Sequence, residues 1–390
     1  MIRRSLEIPS QSSLFLFGAR GTGKTTLLQS VCPESETRYV DLLDVAEEQR
    51  YLRDPELLSR LVDALPPSIT TVVIDEVQKI PKLLDVVHRK IEESKRAGRS
   101  LRFILTGSSA RKLRRGAANL LAGRADVYAL FPLTAEELGE SFSLEDALAF
   151  GTLPSLLDRD TTASKNRYLE AYARTYLKEE IWNEHLVRKL DPFAQFLEIA
   201  AQMNGRVLNF ASIGRDAGVD TKTVQSYFQI LEDTLLGFFL PPYHASERKR
   251  ETTNPKFYFF DTGVKRALER MLTVPVLPRT YAYGEAFEHW VILEIMRRNE
   301  YLKKDFKLSY IRTHSGAEVD LVLERPGRGP ALVEIKSADR VGASMTKHLE
   351  KFRADIPRAE AYLLSLDPVP QKIGNVTCLP WAEGLAAVGL

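Results

Sequence analysis

Gly18-Ala-Arg-Gly-Thr-Gly-Lys-Thr-Thr26 directly follows the apolar run Leu14-Phe-Leu-Phe17 and opens a helical stretch. Its spacing is G-x-x-x-x-G-K-[ST], in the strand-then-helix setting that a phosphate-binding loop requires. Glycines permit close backbone approach, and the loop amides with the helix N-terminus cradle phosphate. The ammonium of Lys24 then reaches the β- and γ-phosphates and the Thr25 hydroxyl ligates Mg²⁺. On this reading Gly18, Ala19, Arg20, Gly21, Thr22, Gly23, Lys24, Thr25 and Thr26 form the nucleotide cradle, with ATP and Mg²⁺ as the expected cofactors.

Working outward, the first 135 residues alternate short apolar runs with helical patterns, which predicts an α/β layer with a parallel sheet covered on both faces. Candidate strands are Leu14–Phe17, Tyr39–Asp41, Val72–Asp75, Arg102–Thr106 and Val127–Leu130, and five strands suit a RecA-like or AAA+ core. The run Thr71-Val-Val-Ile-Asp-Glu76 is an apolar strand ending in two carboxylates, a placement that asks for a cation. Asp75 is expected to hold Mg²⁺ through water and Glu76 to polarise the attacking water. Thr106 and Ser108 end the next strand and are alternative candidates for a polar sensor of the γ-phosphate. Arg124, just before the fifth strand, is either an arginine finger acting across a subunit interface or a surface arginine. Arg111, Lys112, Arg114 and Arg115 form a basic cluster that suits a solvated helical face as well as a DNA contact.

At 390 residues the chain is long enough for two or three domains. Hydrophobic residues make up 44% and charged residues 27%; 54 basic residues face 52 acidic ones, so local patches rather than net charge decide any nucleic-acid contact. Cys32 and Cys378 have no metal-binding spacing, which predicts a reducing compartment and no structural zinc. No apolar segment is long enough for a membrane span, and the run near Arg3 and Arg4 is too short for a signal peptide, so a cytoplasmic location is expected.

Beyond the first domain (1–135) the pattern predicts a helical lid or linker (136–190), a winged helix-turn-helix (191–262) and a last α/β domain (263–390) running helix, strand, strand, helix, strand. Tyr168, Tyr172 and Tyr176 recur at helical spacing opposite Lys178, Glu179 and Glu180, and read as a core stripe. In Ser212–Phe228, Gly214 sits where two helices cross, Gly218 in the turn, and Val219 and Val224 inward. Thr221, Lys222, Thr223, Gln225 and Ser226 then face outward, with Arg248, Lys249 and Arg250 at the wing tip, which suits either DNA or protein docking. Further on, Asp320 and Glu334 lie on two strands joined by a Gly/Pro turn, and Lys336 shares a strand face with Glu334. This D…E-x-K pattern predicts a Mg²⁺- or Mn²⁺-dependent site that cleaves DNA phosphodiesters, with Asp320 and Glu334 as ligands, Lys336 near a water nucleophile and Glu288 as a supporting acid. The alternative is a nuclease-like fold that binds nucleic acid without cutting it.

Taken together, Gly18–Leu27, Val73–Lys79 with its Asp-Glu-x-Gln, Leu105–Ser109, Leu121–Arg124, Tyr258–Gly263 with Asp261-x-Gly, Gly284–Val291 and Glu318–Lys336 resemble a prokaryotic family of predicted ATPases. The resemblance implies an AAA+-like domain followed by a winged helix and a restriction-endonuclease-like fold. Where relatives tend to have Gly-Gly-Tyr/Phe-Pro, this chain has Gly151-Thr-Leu-Pro154. Three functional readings follow: a homo-oligomeric ATPase acting on DNA, a STAND-type switch that binds a protein partner, and a chaperone-like remodeller.

Overall fold

Thr71-Val-Val-Ile-Asp75 is rich in β-branched residues and buried at every position, as expected of a strand covered on both faces. It is the third strand of a five-stranded sheet in a computed structural model that describes residues 2–108, 123–176, 190–244, 254–313 and 316–390. The strands are β1 (Ser13–Phe17), β2 (Thr37–Asp41), β3 (Thr71–Asp75), β4 (Arg102–Gly107) and β5 (Ala125–Ala129), in the order β2-β3-β4-β1-β5. All neighbouring pairs are parallel. The helices α1 (Lys24–Val31), α2 (Val45–Arg53), α3 (Leu57–Asp63) and α4 (Leu83–Arg96) connect them. Leu83, Leu84, Val87 and Ile91 of α4 pack with Val72, Ile74, Phe103 and Leu105 of the sheet. The five expected strands are all present, and because β4 lies between β1 and β3, its C-terminal end comes to rest between the phosphate loop and the paired acids.

The chain divides into two units, one formed by Met1–Leu133 with Gln229–Leu236, the other by Thr134–Phe228 with Gly237–Leu390. The stretches read from the sequence as lid, helix-turn-helix and last domain therefore belong to one unit, apart from Gln229–Leu236. This second unit contains α5 (Ala135–Leu138), α6 (Leu144–Phe150), α7 (Thr162–Ala171), α8 (Leu190–Gln202) and α9 (Phe210–Asp216), followed by α10 (Thr221–Asp233), of which Thr221–Phe228 belongs to it. An antiparallel hairpin follows, β6 (Gly237–Leu240) with β7 (Lys256–Phe259).

The rest is α11 (Thr262–Leu268), α12 (Tyr281–Tyr301), β8 (Lys307–Arg312), β9 (Glu318–Glu324), β10 (Ala331–Lys336), α13 (Ala343–Asp355), β11 (Glu360–Ser365), β12 (Gln371–Ile373), β13 (Val376–Pro380) and α14 (Trp381–Ala387). Its six strands run β12-β13-β11-β10-β9-β8, antiparallel from β8 to β10 and parallel from β10 through β11 to β13. The helix-strand-strand-helix-strand reading missed β8, β12 and β13. The sequence Lys307-Leu-Ser-Tyr-Ile-Arg312 mixes polar and apolar residues along an edge strand, where only Ser309 and Tyr310 are buried.

One interlock ties α6 to α11. Asp261 caps α11 by accepting from Val264 N at 3.0 Å, and its other oxygen accepts from Thr152 N at 2.8 Å. Arg266 donates to the Ala149 carbonyl at 2.6 Å, and Arg297, fully buried on α12, donates to Thr152 Oγ1 at 3.2 Å and to the Phe260 carbonyl at 2.9 Å. Gly151 has φ of 75°, and a Cβ there would sit 2.0 Å from Asp261 Oδ1. A Cβ on Gly263 would lie 1.8 Å from the Phe150 carbonyl oxygen. Leu153 is fully buried. The Asp261-x-Gly stretch and Gly151–Pro154 are thus two halves of one packing motif.

Of the tyrosine stripe, Tyr172 is buried and packs on Tyr168 and Phe260, in keeping with a core role. The side chain of Tyr176, and Lys178, Glu179 and Glu180, lie outside the described residues.

Candidate functional site

The phosphate loop turns tightly through Gly21 and Gly23, with φ of 80° and 91°, a backbone region that glycine adopts without steric cost. Gly18 is required for a different reason: a Cβ there would lie 2.5 Å from the Leu130 carbonyl oxygen. Lys24 is buried, and its Nζ donates to the carbonyls of Gly18 at 2.8 Å and Ala19 at 3.4 Å. These partners are neutral, so the ammonium charge is available to an anion. Arg4 braces the loop by donating to the carbonyls of Thr22 at 2.8 Å and Phe131 at 2.6 Å. Nothing local signals this role, since Arg4 lies 18 and 127 residues from its partners along the chain.

Thr25 Oγ1 donates to Asp75 Oδ2 at 3.1 Å, bringing the hydroxyl of α1 to the carboxylate that ends β3. Thr106, fully buried on β4, donates to the other oxygen of Asp75 and accepts from Glu76 N at 3.1 Å. Thr106 therefore braces both acids. Glu76 itself has left-handed backbone, φ of 58°, an uncommon conformation outside glycine that turns it away from the strand direction. Gln78 donates one amide to both Glu76 Oε2 and Ser108 Oγ, the latter at 3.2 Å, and so links the second acid to the tip of β4. A Cβ on Gly107 would strike Gln78 Oε1 at 2.5 Å, which ties the glycine to this glutamine. A hydroxyl and a carboxylate in hydrogen-bond contact at the foot of a phosphate loop fit Mg²⁺, which keeps several waters and takes one or two protein ligands beside substrate phosphates.

Arg124 Nε pairs with Glu92 Oε1 of its own chain at 2.6 Å. Arg111, Lys112, Arg114 and Arg115 lie outside the described residues.

In the second unit, α9 and α10 cross at Gly214, where a Cβ would lie 2.7 Å from the Val219 carbonyl oxygen; Val224 is fully buried beneath, while Val219 is only partly buried. Lys222, Gln225 and Ser226 are exposed. Thr223 is not a free outward group: its backbone N–H and hydroxyl both donate to Asp220, at 2.9 and 2.8 Å. Arg248, Lys249 and Arg250 lie outside the described residues.

The β9–β10 register pairs Val333 with Leu321, and Asp320 and Glu334 are the next residues along the two strands. Glu288 joins them from α12. Burial, then the Asp320 charge, pushes Glu288 up to about 7, and the same two causes push Glu334 up to about 7. Asp320 Oδ2 accepts from Ile335 N at 2.8 Å, and Lys336 Nζ pairs with Glu334 at 2.6 Å. Lys336 is held above the usual lysine range because Asp320 and Glu334 outweigh the effect of burial. Two groups that had no assigned role in the sequence complete the cluster: Lys256, only 2% exposed, and Tyr258, whose hydroxyl donates to Glu288 at 2.7 Å. Among the described residues no group of three or more His, Cys, Asp or Glu side chains is arranged to hold a metal ion. Within this chain Glu334 pairs with Lys336, Glu288 accepts from Tyr258, and Asp320 accepts a backbone N–H.

Residues 10–139 match the family model of an AAA domain. The first unit has an AAA-type P-loop ATPase fold. Residues 141–274 and 283–383 match two domains of unknown function, DUF8612 and DUF4143. An uncharacterised protein of Mycobacterium tuberculosis is 29% identical over 86% of this chain and 73% of its own. One of Methanocaldococcus jannaschii is 22% identical over 97% and 86%. Among solved structures, the Aeropyrum pernix ORC2 protein in its ADPNP-ADP complexes superposes with a TM-score of 0.36 at 13% identity, covering 67% of this chain and 87% of that one. Among the described residues no helix is long and apolar enough to cross a membrane.

Proposed function

We propose that this protein hydrolyses ATP and uses the nucleotide cycle to act on DNA. The observation that carries the hydrolysis is the joined set Lys24, Thr25, Asp75, Glu76 and Thr106, gathered at the ends of three adjacent strands. Gly18–Thr26 cradles the phosphates and Lys24 balances the charge that builds on them. Thr25 and Asp75 would hold Mg²⁺, which neutralises phosphate charge when bound. Glu76 orients the attacking water and accepts its proton. With Thr106 committed to bracing the acids, Ser108 at the β4 tip is the better candidate for the γ-phosphate sensor.

Arg124 serves as an arginine finger between copies in a homo-oligomer, released from Glu92 when a neighbour's nucleotide draws it away. Mixing Arg124→Ala with Glu76→Gln protein is expected to restore part of the activity that each lacks, read as phosphate release at equal total protein. Co-assembled mixtures no more active than their parents would place Arg124 in a purely structural pair.

DNA contact is supported by the exposed Lys222, Gln225 and Ser226 on α10 and by the basic run Arg248, Lys249 and Arg250. Phosphate contacts release counterions, so neutralising that run is expected to lower the slope of log affinity against log salt by about 2 to 3. Titration of labelled duplex, single-stranded and branched DNA at several salt concentrations checks it; an unchanged slope and affinity would move the contact elsewhere. One observation favours a second reading, a STAND-type switch that binds a protein. Asp220 sets a carboxylate at the N-terminus of α10, where a phosphate would otherwise approach. DNA-stimulated ATP turnover separates the two. The acids of the second unit carry no cleavage step in this proposal, because Glu334 pairs with Lys336, Glu318 pairs with Lys256 and Asp320 accepts a backbone N–H.

A further inference from the structure

Lys256 begins β7, is bridged to Val207, and has a side chain only 2% exposed. Its Nζ contacts Glu318 Oε1 and lies 3.8 Å from Glu288 Oε1, with the Tyr310 ring centroid 5.3 Å away. Two residues along the same strand face, Tyr258 donates to that same Glu288 oxygen. The hairpin thus delivers one ammonium and one hydroxyl to carboxylates carried by α12 and β9. On the far side of the cluster, Lys336 holds Glu334. Glu288, Glu318 and Glu334 therefore each lie within ion-pair distance of an ammonium group of this chain, and Asp320 accepts a backbone N–H.

We infer that Lys256 is the resident cation of this acidic cluster, standing where a divalent ion would otherwise be needed. Carboxylates crowded together from β9, β10 and α12 and largely withdrawn from water, with side chains at most 28% exposed, are costly unless a cation compensates them. A lysine fixed on a neighbouring strand meets that need at a high effective concentration. Mg²⁺ would have to shed tightly held water to compete with it. Arg312 reinforces the arrangement from the rim, its Nε 3.8 Å from Glu318. A cavity of about 380 Å³ lined by Lys256, Tyr258, Glu288, Glu318, Arg312 and Arg206 opens onto the group. An ion from solvent thus has a route in, and the lysine rather than lack of access keeps it out.

The test uses the full-length, nucleotide-free protein and Mn²⁺ as the probe, so it does not depend on the ATPase proposal. Mn²⁺ binding is followed by electron paramagnetic resonance and by the shift in Tm. Wild type and Asp320→Ala are expected to titrate alike. Lys256→Ala is expected to gain a site at least about tenfold tighter than any in wild type. That site disappears again when Asp320→Ala is added, and Mn²⁺ raises the Tm of Lys256→Ala but not of wild type. Wild-type binding that is lost in Asp320→Ala or Glu334→Ala would overturn the inference, and so would a folded Lys256→Ala that gains no site. Should Lys256→Ala fail to fold, Lys256→Met keeps the apolar stem without the charge and is read the same way. Folding of either variant only when Mn²⁺ is supplied supports the inference. Failure of both in Mn²⁺, with Lys256→Arg folding normally, would make the lysine a packing element and end it.

Discussion

Glu76→Gln is expected to keep ATP bound while turnover falls about 10²–10⁴-fold, the usual worth of a positioned general base. The substitution retains size and hydrogen bonding and removes only basicity, so affinity stays within about twofold. The contact between Asp75 and Thr25, which does not involve the Glu76 side chain, remains. Lys24→Ala gives the complementary result. Among the described residues its ammonium has only backbone carbonyls of the loop as hydrogen-bond partners, so its loss removes charge-assisted bonds to phosphate. That costs about 2–3 kcal/mol, or on the order of a hundredfold in affinity. Fluorescent-nucleotide titration and phosphate release, run on both variants, separate binding from chemistry. Near-normal turnover by Glu76→Gln would remove the carboxylate from the chemistry, and undiminished affinity in Lys24→Ala would remove the lysine from the cradle.

The second large effect is on stability. Asp261→Ala leaves the N–H groups of Thr152 and Val264 without their acceptor and deprives the buried Arg297 of a nearby negative charge. Breaking a buried charged network from one side costs about 3–5 kcal/mol, which for a unit of this size lowers Tm by roughly 10 °C. Gly263→Val is expected to do worse, because the new Cβ meets a main-chain carbonyl that has no room to yield. Thermal unfolding by near-UV circular dichroism checks both. A fall in Tm of less than about 3 °C for Asp261→Ala would mean that the interlock contributes little.

What could be read from the sequence depended on whether a feature is local. The phosphate loop is nine consecutive residues, and Asp75 and Glu76 end one apolar strand, so spacing alone located them. The same held for Gly214, whose role follows from the turn four residues later. Lys256 escaped because nothing local marks it: its acidic partners lie dozens of residues away on α12 and β9. Arg124 was legible as an arginine near a strand, but not its pairing with Glu92, which depends on how α4 packs. The choice between Thr106 and Ser108 likewise needed the third dimension, since side chains two residues apart on a strand point the same way. Only the position of β4 between β1 and β3 shows which hydroxyl meets Asp75.

The interlock between the Gly151 turn and Asp261 also bears on how the chain is made. Thr152 waits for an acceptor 109 residues further on, and for a guanidinium 145 residues further on. During synthesis from the N-terminus the segment that follows the first unit leaves the ribosome with its α6 end unfinished. It stays so for several seconds or more, given elongation at about 5–20 residues per second. Over that interval its apolar side, including Leu148, Leu153 and Leu156, has no completed core to enter. Contacts of such long range also slow the search for the native pairing. The second unit therefore depends on protection during biogenesis, and a fragment that stops before Arg297 lacks the pieces needed to close the interlock.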